Sequence, residues 1–286
     1  MRILMKKLLL ILELVKFEHT LFALPFAYMG AWLGAGGTPP LRSAGWILLA
    51  MIGARTAAMA FNRLVDARID AKNPRTSTRP IPSGRMSASF GWMVWGTAVG
   101  LFFLAAYQLN TLTLFLSPLA LFIIHFYSYT KRFTTASHLI LGLSLAVAPV
   151  GGWIAVTGVF PAISLLLGGG VLFWVAGFDC LYACQDETFD RTHGLHSVPC
   201  RWGSAAAFRA ARMFHVLAFI FFALTGWLAH LGAFYFGGLC LVFLFLLIEH
   251  LIISPKDLSR LQMSFFTLNA AVSLVLFLAT FLDYRY

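Results

Sequence analysis

Residues 44–70 read AGWILLAMIGARTAAMAFNRLVDARID, and the fold class follows from this stretch. From Ala44 to Phe61 the only charge is Arg55. Eighteen or more such residues suffice to cross a hydrocarbon layer about 30 Å thick at a helical rise of about 1.5 Å per residue. Backbone N–H and C=O groups in lipid must be satisfied within their own segment, so the run is a helix. Two acids, Asp66 and Asp70, follow immediately.

Outward from this stretch the pattern recurs. Apolar runs at 20–36, 88–108, 110–130, 136–157, 162–182, 206–229, 233–252 and 264–282 make nine spans with 44–65. The chain is 60% hydrophobic and 11% charged, against about 25% charged for a soluble domain. The fold class expected is all-α: a polytopic transmembrane bundle of about nine helices, capped by the loops after helices 2 and 6. A single transmembrane domain covers 1–286, with cap loops at 66–87 and 183–204. Residues 1–19 begin basic, but Glu13 and Lys16 interrupt the apolar run and no small-x-small cleavage site follows, so an interfacial helix is expected there.

All of the 21 Lys and Arg except Arg42, Arg55 and Arg285 fall in regions that share one membrane side if the N-terminus is cytosolic. That is the positive-inside asymmetry. It accounts for the net charge of +10 through topology and contact with the lipid bilayer, leaving no call for a nucleic-acid partner. The expected location is the inner (plasma) membrane of a prokaryote, with the long polar loops in the cytosol. Cys180, Cys184, Cys200 and Cys240 read as free packing residues.

Six of the eleven acids lie in two short stretches: Asp66 and Asp70, then Asp179, Asp186, Glu187 and Asp190. Acids beside membrane spans are costly and mark functional sites by default. The pairs Asp66/Asp70 and Asp186/Asp190 are each spaced i,i+4, on one helical face, and the pairs are 120 residues apart. Lys131 and Lys256 follow spans four and eight at a similar offset, a weak sign of internal duplication. Like charges at helix C-terminal ends repel each other and the helix dipole, so a cation must compensate. Hard carboxylate oxygens with room for water suit Mg²⁺. Solvated ion pairs with Arg63, Arg68 and Arg191 are the alternative. Between the pairs, Arg75, Arg79 and Arg85 stand in a Pro- and Thr-rich loop, where guanidinium forks suit phosphate oxygens; Lys131 adds a point charge. Each of these cations, taken alone, is better explained by topology than as a ligand. Asn269 and Ser273 read as interhelical hydrogen-bonding residues, and Glu249 and His250 as interfacial.

The motifs Asn62–Asp70 (NRLVDARID) and Tyr182–Asp190 (YACQDETFD) resemble the NDxxDxxxD and YxxxDxxxD motifs of the UbiA superfamily of intramembrane prenyltransferases. The segments RPIPSGR and YSYTKR resemble its 4-hydroxybenzoate branch. The resemblance implies an aromatic prenyltransferase of quinone biosynthesis, acting on a polyprenyl diphosphate and a small aromatic acid acceptor. Asp66, Asp70, Asp186 and Asp190 would hold two Mg²⁺, with Asn62 assisting. Arg75, Arg79 and Lys131 would clamp the diphosphate, and Tyr127 and Tyr182 would line the site. Arg55 would meet the acceptor's carboxylate, which agrees with a lone Arg inside a span needing an anionic partner. Two departures stand out: Arg63 replaces the usual second motif Asp, and His196 replaces a Lys that many members carry. Acceptors such as a naphthoquinone precursor, haem or a phosphosugar stay open, as do the roles of Arg63, His196 and Asp179 and the oligomeric state. A cation or lipid transporter would place its ionisable groups near mid-bilayer rather than at one edge.

Overall fold

The structure, a computed structural model, describes residues 2–15 and 20–286. Lys16 and the junction between the N-terminal helix and the first span lie outside the described residues. Helices run in the order α1 (Arg2–Val15), α2 (Thr20–Ala35), α3 (Leu41–Val65), α4 (Ala67–Asp70), α5 (Ala88–Leu109), α6 (Thr111–Thr130), α7 (Ser137–Thr157) and α8 (Ala162–Tyr182). A 3₁₀ turn (Ala183–Asp186) then leads into α9 (Glu187–Thr192), α10 (Val198–Trp202), α11 (Ser204–Leu228) and α12 (Ala233–Ile252). The last span is α13 (Leu261–Met263), a π turn (Ser264–Leu268) and α14 (Asn269–Arg285). No strand occurs among the described residues. The chain is an all-helical membrane protein.

Among the described residues, eight helical segments are long and apolar enough to cross a membrane. The run expected at 20–36 forms α2, an apolar helix of only 16 residues. It is embedded in the bundle rather than spread on its surface. Phe26 and Met29 are fully buried, and the Phe26 ring packs 5.3 Å from Trp174 of α8 and 5.6 Å from Phe222 of α11.

Lipid tails are as apolar as leucine, so helices in a membrane associate through close packing rather than through water exclusion. The α2–α7 crossing shows this. A Cβ at Gly30 would sit 2.0 Å from the Pro149 carbonyl oxygen, and one at Gly152 would sit 2.0 Å from that of Ala27. Only glycines on both helices permit this approach.

Polar contacts secure other joints. The Asp283 carboxylate of α14 accepts N–H groups of Gly232, Phe234 and Tyr235 at 2.7–3.1 Å, an anion at the N-terminus of α12. Glu249 of α12, expected at the interface, is instead 2% exposed. Its Oε1 accepts from Ser264 Oγ (2.8 Å) and Asn269 Nδ2 (3.2 Å), tying α12 to the π turn and α14. Burial is tolerable because these donors replace water. Asn269 thus does bridge helices, with an acid as its partner.

Both cap segments sit at one end of the bundle. The Arg85 guanidinium forks onto the Glu13 carboxylate of α1, fastening the first cap loop to the N-terminal helix. All four cysteines are free.

Candidate active site

The two acidic corners are built alike. Asp66 joins α3 to α4 with φ −92° and ψ 4°, and Asp186 joins the 3₁₀ turn to α9 with φ −101° and ψ 5°. This sparsely populated bridge conformation is common at functional sites. In each corner the second acid, Asp70 or Asp190, lies one turn on and is buried.

Each carboxylate has a cationic partner. Asp66 accepts from Arg132 Nη2 at 2.8 Å and from Asn62 Nδ2 at 3.0 Å. Asp70 accepts from Arg79 Nη1 at 2.7 and 2.6 Å, and Arg63 Nη1 stands 4.0 Å away. Arg75 reaches across from the first loop to fork onto Asp186, with Nε–Oδ1 3.0 Å and Nη2–Oδ2 2.5 Å. Asn73 donates to the same Oδ1 at 3.1 Å. Lys131 Nζ lies 3.7 Å from Asp190, which also accepts from Ser197 Oγ at 3.1 Å. The corners therefore face each other, and Arg75 and Asn73 physically join them.

The electrostatics follow from this pairing. Burial raises the Asp66 pKa, and the Arg132 hydrogen bond and charge only partly oppose it. Burial works against the Lys131 ammonium, but Asp190, Asp179 and Asp186 outweigh it and raise its pKa. Arg75 is likewise raised: burial lowers, and the Asp186 hydrogen bonds and charge prevail. These cations stay charged at every working pH.

Below the corners lies a cavity of about 930 Å³. Asn62, Asp66, Asp70, Arg75, Arg79, Tyr127, Lys131, Tyr182, Asp186, Asp190 and Arg55 all line it. Its deeper walls are apolar, including Ile47, Phe102, Leu145 and Ile154. Leu143, Phe160 and Leu165 line it yet are 41–53% exposed, so it opens sideways on the face that lipid would cover. Tyr182 packs its ring 4.4 Å from Phe265, presented by the π turn, and beneath the Arg75 guanidinium at 5.5 Å. Deeper in, Arg55 Nε is buried without a hydrogen-bond partner.

The sequence-model of the UbiA prenyltransferase family matches residues 23–275. The chain belongs to the UbiA prenyltransferase family. Its fold agrees: the apo structure of a UbiA homolog from Aeropyrum pernix K1 superposes with a TM-score of 0.85 at 35% identity, covering 93% of this chain and 98% of that one. A UbiA homolog from Archaeoglobus fulgidus, bound to GPP and Mg²⁺, superposes with a TM-score of 0.74 at 21% identity, covering 95% and 99%; it speaks to the fold alone. A 4-hydroxybenzoate octaprenyltransferase of Aromatoleum aromaticum is 29% identical over 253 residues, 88% of this chain and 85% of its own length. One from Nitrosomonas europaea is 29% identical over 257 residues.

For this UbiA-family enzyme the sequence missed several members of the site. Asn73 precedes Pro74 in an Asx turn, its Oδ1 accepting the Arg75 N–H at 2.9 Å; an Asn-Pro pair signals that turn. Arg132 counts only toward topology in the sequence, and Ser197 carries no mark there; besides holding Asp190 it caps α10, accepting from the Cys200 N–H. His196 donates its backbone N–H to the Lys131 carbonyl at 2.6 Å, tying the second loop to α6, while its side chain is not among the cavity-lining groups.

Proposed function

We propose that this enzyme transfers a polyprenyl group from its diphosphate to a small aromatic acid, 4-hydroxybenzoate foremost, in ubiquinone or menaquinone biosynthesis, and that it requires Mg²⁺. The observation that carries the reading is the Arg75–Asp186 bridge. It brings both acid pairs and the basic residues to one mouth of one apolar cavity.

Among the described residues no three His, Cys, Asp or Glu side chains form a ready cage for a metal. Mg²⁺ needs none, since it binds through one or two carboxylates together with water and substrate phosphates. The donor set fits: Asp66 with Asp70 on one side, Asp186 with Asp190 on the other. Charge balance also fits. As they stand, the four carboxylates are neutralised by Arg132, Arg79, Arg75 and Lys131. With two Mg²⁺ on the acids, those cationic side chains would be free to face the diphosphate, and both arrangements are near neutral.

Bound Mg²⁺ would supply Lewis-acid stabilisation of the departing diphosphate. Arg75, Arg79 and Lys131 add fixed positive charge where negative charge grows as the C–O bond breaks. The apolar walls keep water from the allylic cation, and the side opening lets the prenyl tail lie in lipid. Arg55 Nε, unpartnered and lining the cavity, suits the acceptor's carboxylate. We place this mouth on the cytosolic side, from the distribution of Lys and Arg.

The test is transfer of radiolabelled prenyl diphosphate to 4-hydroxybenzoate and to other aromatic acceptors by the purified protein. Product that disappears with EDTA and returns with Mg²⁺ is expected; full turnover without any divalent ion contradicts the reading.

A further inference from the structure

Apart from Glu13, five acids line the cavity, and four are held by Lys or Arg. Asp179, in the last turn of α8, is not. Its Oδ2 is 2.7 Å from His138 Nδ1 of α7. The Val198 backbone N–H donates to His138 Nε2 at 3.1 Å. A ring nitrogen that accepts carries no proton, so the proton sits on Nδ1 and the imidazole is neutral. His138 is 1% exposed, and its ring is held from both sides. Asp179 Oδ2 is therefore an acceptor, and the carboxyl is held in one orientation. Its Oδ1 receives no hydrogen bond from any described residue.

Position adds to this. Tyr127 lies within electrostatic reach of both Arg55 and Asp179, and Lys131 within reach of Asp179. An aromatic acid with its carboxylate on Arg55 would extend past Tyr127 towards Asp179.

We infer that Asp179 is the base that takes the ring proton when the aromatic acceptor is alkylated, and that His138 is its positioning residue. This rests on the function proposed above. In the step, the C–O bond of the prenyl diphosphate breaks and its electron pair leaves with the diphosphate. A ring π pair forms the new C–C bond ortho to the hydroxyl. The C–H bond at that carbon then breaks, its proton passes to Asp179 Oδ1, and its electron pair restores aromaticity. A carboxylate is a weak base, which suffices because the alkylated ring cation is a strong acid. The diphosphate oxygens, in contrast, are engaged by Arg75, Arg79 and Lys131.

The experiment measures turnover of the full chain in nanodiscs with prenyl diphosphate, Mg²⁺ and either 4-hydroxybenzoate or 4-hydroxybenzoate deuterated at both positions ortho to the hydroxyl. The wild type shows no isotope effect, because ionisation limits the rate. Asp179→Asn, nearly isosteric, lowers kcat about 100-fold, leaves KM for the prenyl diphosphate unchanged, and brings out a primary deuterium isotope effect. His138→Ala shows a smaller loss with the same isotope effect, and His138→Asn, which keeps an N–H donor for Asp179, recovers much of the rate. Turnover within about threefold of wild type in Asp179→Asn, or a loss without an isotope effect in both Asp179→Asn and His138→Ala, overturns the inference alone. A wild type that alkylates no aromatic acceptor overturns the proposed function, and this inference with it.

Discussion

The two acidic corners share a backbone but not a set of partners. Asp66 and Asp186 hold nearly the same φ and ψ between a span and a short helix. Yet the first loop carries two of the three arginines that hold the motif acids closely, Arg79 for its own Asp70 and Arg75 for Asp186 across the cavity mouth, while Arg132 after α6 holds Asp66. The second loop supplies no Lys or Arg to the four motif acids. It is held by Asn73 and by the His196–Lys131 backbone bond instead, and α8 leads into it with the cation-free Asp179. The comparison shows two acid corners of one backbone geometry whose closest links run from the first loop, its Arg75 reaching the second corner and its Arg79 its own.

The sharpest way to break that comparison is to remove one acid from each corner. Asp70→Ala and Asp186→Ala should each lower kcat by about 1,000-fold, the order of the several kcal/mol that metal stabilisation contributes. Comparable losses in labelled-prenyl transfer support equal scaffolding; full activity in either variant removes that corner from the site. Next come the arginines. Arg75→Ala and Arg79→Ala should each cost about 10- to 100-fold in kcat/KM for the prenyl diphosphate, from charge-assisted hydrogen bonds of about 1.5–3 kcal/mol. Only Arg75→Ala should also increase proteolysis of the second cap loop, because of the two arginines it alone reaches the second corner.

Arg55→Ala should raise KM for 4-hydroxybenzoate by about tenfold and leave KM for the prenyl diphosphate unchanged. A variant that affects both substrates equally would remove the division between leaving-group and acceptor ends. The smallest expected effect on turnover lies outside the cavity, at Glu249. Glu249→Ala strands Ser264 Oγ and the Asn269 amide, at about 2 kcal/mol of stability. It should lower the thermal midpoint in detergent with kcat within about twofold, whereas Glu249→Gln keeps the accepting oxygen and much of the stability.

Glu249 also shows where sequence reading stops. The spans were legible because apolar runs of bilayer length with few charges admit one physical solution, and α2 alone came out short. The paired aspartates were legible because their spacing violates helix electrostatics twice over and so demands compensating cations, which Arg132, Arg79, Arg75 and Lys131 supply in this structure. Glu249, adjacent to His250 near a helix end, carries no such signal. Its burial depends on Ser264 and Asn269, brought to it by a π turn that has no sequence mark. Asn73, Arg132 and the His138–Asp179 pair were missed for the same reason. Each partner lies on another element, 41 to 113 residues away, and only packing introduces them.

The central claim is that both corners grip one diphosphate through divalent ions, and binding tests it without any chemistry. A prenyl thiolodiphosphate, which resists ionisation, is titrated calorimetrically into the purified wild type, Asp70→Ala and Asp186→Ala, with Mg²⁺ and with EDTA. The account predicts Mg²⁺-dependent binding to the wild type that is lost when either corner is cut. Binding that persists in EDTA, or that survives intact in one of the two variants, would contradict it.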